Sequence, residues 1–307
     1  MNYIEFETNL KSLLSRSKGP NLLLKLIDAP YRFYSVLNPF SFQTKLKQTF
    51  LRTQENIYFK FIKTCAEEIF INNLKLIPMD NKIDVPFQIN DENNEELNGS
   101  LSAKRVVPTF LFTNEEKTKV YSIFLRKRDV YGANEINKIF NKFKENSELL
   151  TNYFKESEVV SFLWFVDEEN RKNEELLHEQ TRILNINSSV LNVVYSSEIF
   201  AYFNAKEEWE NINQYLMQFK FKNYDFFLNM PDLDSDKETY EALVNLSNSA
   251  WEKLNSDEPI YKEIRLAIFN DKNPNSNLLK AYQMRSIKQK TVDEDELKNE
   301  TIKAGLN

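Results

Sequence analysis

The chain is poor in the residues on which most familiar catalytic sites depend. Among 307 residues there is one cysteine, one histidine and four glycines. The lone cysteine, Cys65, has no partner for an internal disulfide, and its solitude excludes cysteine-rich zinc sites. The lone histidine, His178, leaves no room for a multi-histidine metal centre. It lies in Glu174-Glu-Leu-Leu-His-Glu-Gln, which reads as a solvated helix. Gly19, Gly99, Gly132 and Gly305 are too far apart to build a dinucleotide-binding loop or a P-loop. Together these absences exclude most dinucleotide enzymes, P-loop nucleoside triphosphatases and histidine-based hydrolases. No apolar run reaches the ~18 residues of a membrane span. The start, Met-Asn-Tyr-Ile-Glu-Phe-Glu-Thr, has no basic stretch leading into an apolar one, so no signal peptide is expected and the expected location is the cytoplasm.

What is present is aromatic and charged. There are 24 Phe and 14 Tyr, and the formal net charge is -6. An acidic balance does not advertise nucleic-acid binding, but local patches matter more than the total. Acidic residues are dense at 90–98, 166–180 and 232–241, and basic ones at 11–18, 45–52, 104–105 and 126–128.

Periodicity gives the elements. Residues 3–17 read as an amphipathic helix ended by Gly19-Pro20, with a short second helix at 21–29 stopped by Pro30. Residues 41–74 form the longest helical stretch, with an aromatic stripe that marks a core face. Residues 82–89 alternate like a strand, and 91–99 read as an acidic loop. Two apolar runs, Arg105-Val-Val-Pro-Thr-Phe-Leu-Phe and Val120-Tyr-Ser-Ile-Phe-Leu, flank a polar turn and predict an antiparallel hairpin. Helix follows over 133–154, a fully buried strand over 158–167, a polar helix over about 168–184 and another buried strand over 190–195. Helices are expected at 206–219, 237–255, 258–269 and 277–284, then a charged, flexible tail from 286. The pattern predicts an α/β (α+β) fold, with a mixed central sheet flanked by helices. The expected division is an N-terminal helical segment over 1–40, an α/β core over 41–225, a C-terminal helical region over 226–285 and the tail.

The second hairpin strand, Tyr121-Ser-Ile-Phe-Leu-Arg-Lys-Arg-Asp, with Phe140 and Phe143 on the helix after it, resembles the catalytic strand of type II restriction endonucleases with the PD-(D/E)xK nuclease fold. That strand reads Tyr-x-Ile-Glu-x-Lys-x-Arg-Asp. Tyr121, Ile123, Arg128 and Asp129 fit it. Phe124 stands where the Glu belongs, Arg126 where the Lys belongs, and Thr109 near the place of the preceding strand's Asp. Phe165-Val-Asp, Arg171-Lys-Asn, Glu198, Phe200 and Trp209 resemble the second half of the same core, so the likeness runs over about residues 5–225. It implies a restriction-endonuclease-like fold and a protein of a restriction-modification system that binds double-stranded DNA. It also implies Mg²⁺-dependent phosphodiester hydrolysis if the site is active.

The chemistry departs from that pattern. Mg²⁺ needs hard oxygen ligands, and it acts by stabilising phosphoryl charge and activating water. Phe124 offers no lone pair, Thr109 a neutral oxygen, and the Arg126 guanidinium stays protonated. Glu67, Glu68 and Asp84 are the remaining candidate metal ligands. A literal Glu-x-Lys at Glu115–Lys117 falls in the polar turn. Lys104, Arg105, Arg126, Lys127 and Arg128 are expected to gather at one end of the hairpin and contact DNA. Two readings follow: a site-specific deoxyribonuclease, alone, as a homodimer or with a second nuclease subunit; or a non-catalytic DNA-binding or assembly subunit that reuses the nuclease fold.

Overall fold

The computed structural model describes residues 1–88, 101–185 and 190–288. In chain order the elements are α1 (Tyr3–Ser15), α2 (Lys18–Asp28), α3 (Phe42–Glu68), β1 (Ile77–Pro78), β2 (Ile83–Gln88), β3 (Leu101–Val106), β4 (Phe110–Thr113) and β5 (Lys119–Arg126). Then come α4 (Ala133–Tyr153), β6 (Glu158–Phe165), α5 (Glu174–Asn185), β7 (Val190–Tyr195), α6 (Glu198–Tyr202) and α7 (Lys206–Asn223). The last are α8 (Lys237–Val244), α9 (Asn248–Asn255) and α10 (Pro259–Ile268), followed by a helix over 277–288. The acidic loop expected at 91–99 lies outside the described residues, as does the expected tail beyond 288. The chain divides into two compact units, Met1–Phe61 with Met217–Asn307, and Ile62–Leu216. The N- and C-terminal helical segments expected as separate additions therefore belong to one unit.

That first unit is helical. Leu22, Leu23, Leu26 and Ile27 form the buried stripe of α2, and they share a core with Leu243, Leu254, Tyr261, Ile264 and Ala281. Gly19-Pro20 opens α2 instead of closing α1. The chain turns at Ser17, whose φ is 54°, and proline is tolerated in a first helical turn because its N–H would be unpaired there anyway. Gly19 is required by close approach: a Cβ there would lie 2.0 Å from Thr239 Oγ1. The helix expected over 237–255 is split in two, because Ser247 caps α9 by accepting the Ala250 N–H at 3.2 Å.

The second unit is a mixed five-stranded sheet in the order β1-β4-β5-β6-β7, flanked by helices. The predicted hairpin is β4 antiparallel to β5, with Phe110 opposite Ile123 and Thr113 opposite Val120. The strands β5, β6 and β7 are parallel and in step: Arg126, Phe165 and Tyr195 share one level at their carboxyl ends. Parallel strands need crossovers, and α4 and α5 supply them. The strand β6 is buried on both faces. Leu163 and Phe165 pack towards α4 and α5 with Ile136, Phe140, Phe143 and Leu177. On the other face Trp164 meets Phe200 and Trp209, with ring centroids 5.5 and 5.3 Å away. Phe70 anchors that face through Phe110, Phe112, Phe200 and Phe203. Truncating such an aromatic to Ala costs about 3–5 kcal/mol.

One expected strand is divided. Val107-Pro108 interrupts the run that begins at Arg105, because proline has no N–H to give a ladder. Lys104 and Arg105 therefore lie on β3, which pairs with β2 as a separate two-stranded ribbon. The polar helix expected from 168 begins at Glu174, and residues 166–173 form a loop at the carboxyl edge of the sheet.

Candidate nucleic-acid interface

The carboxyl ends of parallel strands are where open α/β sheets place ligands. Two polar arrangements stand at that edge. One is a closed clasp around Asp129, which is wholly buried. Its Oδ2 accepts the backbone N–H of Asn173 at 2.7 Å and the Tyr195 hydroxyl at 2.9 Å, and its Oδ1 accepts Asn173 Nδ2 at 2.6 Å. Burial, then the bond to Asp129, pushes the Tyr195 hydroxyl far above its ordinary range, so it remains a donor. Arg171 lies 4.9 Å over the Tyr195 ring and donates to Glu174 and Glu198, each at 2.7 Å. The other Glu198 oxygen accepts the Tyr195 N–H at 2.9 Å. Asp129 is met by three neutral donors and Arg171 by two carboxylates, and the clasp ties the 166–173 loop to the ends of β5 and β7.

The second arrangement is an open pocket of about 240 Å³ between the end of β5 and α4. Thr109, Phe124 and Arg126 all line it. The strand pairing explains this convergence. Phe124 and Arg126 are two apart on β5 and so project to the same side. Thr109 sits beside them: its N–H donates to the Ile123 carbonyl at 2.8 Å, and its Oγ1 accepts the Leu125 N–H at 3.1 Å. Ile139, Lys142, Phe143 and Asn146 complete the wall from α4. Their spacing of three and four puts them on one helix face. Leu163 of β6 lies at the base.

Apart from Thr109, the polar side chains of this pocket have no partner within the described residues. Among the described residues neither Arg126 nor Lys142 has a carboxylate in salt-bridge range, and the side chain of Asn146, 8% exposed, has no hydrogen-bond partner. No bond within the chain engages that amide, and in a pocket a ligand can do so. Sequence reading did not single out Lys142 or Asn146. The available signal was a polar residue in the apolar phase of α4, where Ile136, Phe140, Phe143 and Leu150 are buried and Asn146 follows the same stripe.

The other predicted basic residues are occupied. Lys104 bonds to Glu145 of α4. Arg105 grips Asp84 bidentately, Nε to Oδ1 at 2.8 Å and Nη2 to Oδ2 at 3.0 Å, and the Asp84 carboxyl is held below its ordinary range by that bond. Arg128 donates to Asp167 at 3.1 Å, and Lys127 is engaged as well. The five do not form one free cluster at the hairpin end.

The candidate metal ligands are scattered. Asp84 is on the ribbon, facing Arg105, and Glu67 and Glu68 are exposed at the end of α3. Glu115–Lys117 lies in the turn before β5, at the opposite end of an eight-residue strand from Arg126. At ~3.3 Å per residue that is roughly 25 Å away. His178 packs its ring nitrogen 3.2 Å from the Val193 carbonyl on β7. Among the described residues no three His, Cys, Asp or Glu side chains come together as metal ligands would. A pocket lined by Thr109, Phe124, Arg126 and Lys142 does not fit Mg²⁺, whose ligands are oxygens and chiefly carboxylates. No helix among the described residues is long and apolar enough to cross a membrane. No protein-family model matches the chain, and neither does any curated protein.

Proposed function

We propose that the chain is a DNA-binding protein on a restriction-endonuclease-like scaffold, and that it binds through cations where such an enzyme would bind through a metal. The observation that carries this reading is the convergence of Thr109, Phe124 and Arg126 on one pocket, with Lys142 beside them and no carboxylate in its wall. The arrangement offers two cations to a phosphate and lacks the ligands of a hydrolytic site. Arg126 and Lys142 are basic side chains with no internal partner among the described residues, so each can neutralise a phosphate and release its counterions. Arg126 offers a planar fork to phosphate oxygens, and Lys142 a point charge. The sheet order and the α4 crossover support the nuclease-like scaffold, since they put the strand bearing Arg126 at the centre of the sheet. The reading favours the non-catalytic subunit over the Mg²⁺-dependent endonuclease.

The test is binding of a labelled duplex by mobility shift in EDTA and in Mg²⁺, with the products run on a denaturing gel. Binding of equal strength in both and an intact duplex are expected. Cleavage that appears with Mg²⁺ and disappears with EDTA would overturn the proposal, as would no binding at low salt.

A further inference from the structure

We infer that the pocket between β5 and α4 takes one whole nucleotide, base and phosphate together, with adenine the base it fits best. This rests on the proposed function and goes beyond it, because phosphate neutralisation needs the two cations alone. The rest of the wall has a different chemistry. Half-buried Phe124 presents ring surface to the pocket, backed by Phe143 at a centroid distance of 5.6 Å and by Ile139 and Leu163. An aromatic and aliphatic wall suits the face of a base, because every base offers a π-face to stack. A backbone phosphate would leave that wall against water.

Asn146 supplies the edge. Its amide carries an acceptor and a donor side by side, and both are free among the described residues. Adenine presents the complementary donor and acceptor at N6 and N7, the pairing that asparagine makes bidentately. Placing the base edge on Asn146 satisfies a polar group that the folded chain leaves without a partner. The opening at Arg126 and Lys142 then receives the 5′-phosphate. A volume of about 240 Å³ lies below the ~300–1,000 Å³ of drug-sized sites, which limits the occupant to one small ligand. The nucleotide is either free or part of a strand. In a strand it must be unpaired, since a base reaches a side pocket only when it leaves the stack.

Calorimetry with adenosine 5′-monophosphate, and mobility shifts with a paired duplex and the same duplex carrying one unpaired adenine, test this. One saturable site for the mononucleotide is expected, at least tenfold weaker in Arg126→Gln and in Lys142→Gln, with inorganic phosphate and adenosine each weaker than the mononucleotide. In Asn146→Leu the preference over cytidine 5′-monophosphate should vanish. Lys142 is exposed on α4, so its variant keeps the test sound if the Asn146 variant misfolds, and thermal melts identify that case. A tenfold gain from the unpaired adenine assigns the nucleotide to a strand; mononucleotide binding without that gain assigns it to the free pool. No mononucleotide binding and no gain from the unpaired base overturn the inference. If the paired duplex still binds, the proposed function survives that failure. If the mononucleotide binds and no DNA does, the inference stands and the proposed function falls.

Discussion

The two polar arrangements at the carboxyl edge of the sheet each hold an arginine and an asparagine, yet they are opposites. Around Asp129 every donor has found an acceptor within 3 Å. In the pocket beside it Arg126, Lys142 and Asn146 have found none among the described residues. A buried charge persists when its neighbours satisfy it, so the first arrangement is explained by folding alone. The second has no such closure, because no partner among the described residues holds its amide or its two cations. The difference explains the clasp by folding alone and leaves the pocket as the site to which the proposed binding is assigned.

The largest expected effect breaks the clasp. Asp129→Ala leaves the Tyr195 hydroxyl and the Asn173 backbone N–H without an acceptor, and should cost about 3–5 kcal/mol in urea unfolding. A destabilisation below about 1 kcal/mol would show that the clasp is not structural. Tyr195→Phe removes one of the three donors and should cost about 1–2 kcal/mol by the same assay. The pocket should behave in reverse. Arg126→Gln should change stability by no more than about 0.5 kcal/mol, as a surface substitution does, while duplex affinity in EDTA falls roughly tenfold. Arg105→Gln should weaken binding less than Arg126→Gln does, because Arg105 is already engaged by Asp84. Equal weakening at the two positions would erase the distinction between partnered and free cations.

Cys65 sharpens the rule from another side, since a buried group with no opening should do nothing. Burial pushes its thiol up to about 12 from an ordinary 9.0. The native protein should resist alkylation at pH 8 and react once unfolded. The raised value also implies a stability term that is complete below pH 9.0 and is lost as pH rises towards 12, because the unfolded thiol ionises first.

The sheet was largely legible. Val159 to Phe165 and Val190 to Tyr195 read as buried strands because burial on both faces leaves a continuous apolar run. The polar turn at 114–118 marked the hairpin. Register was harder: Val107-Pro108 lies inside an apolar run, and nothing local says that Val106 belongs to a ribbon and Phe110 to the main sheet. The resemblance singled out Thr109, Phe124 and Arg126 together, and the strand pairing puts them in one pocket. It supplied Phe143 of the α4 wall but neither Lys142 nor Asn146, since an asparagine in an apolar stripe has the same spacing as the residues it interrupts. It also named Asp129, the Arg171-Lys-Asn stretch and Glu198, but not that they meet in a clasp, because Asn173 and Tyr195 are 44 and 66 residues from Asp129. The charges misled most. Lys104, Arg105 and Arg128 look like a DNA-binding patch until Glu145, Asp84 and Asp167 are placed opposite them.

The salt dependence of duplex binding in EDTA, measured for the natural chain and for the double variant Arg126→Gln with Lys142→Gln, tests the central claim most directly. Each phosphate that is no longer neutralised should flatten the slope of log affinity against log salt by about 0.9. The double variant should therefore be shallower by roughly two and weaker at every salt concentration. An unchanged slope with unchanged affinity would mean that DNA does not touch this pocket.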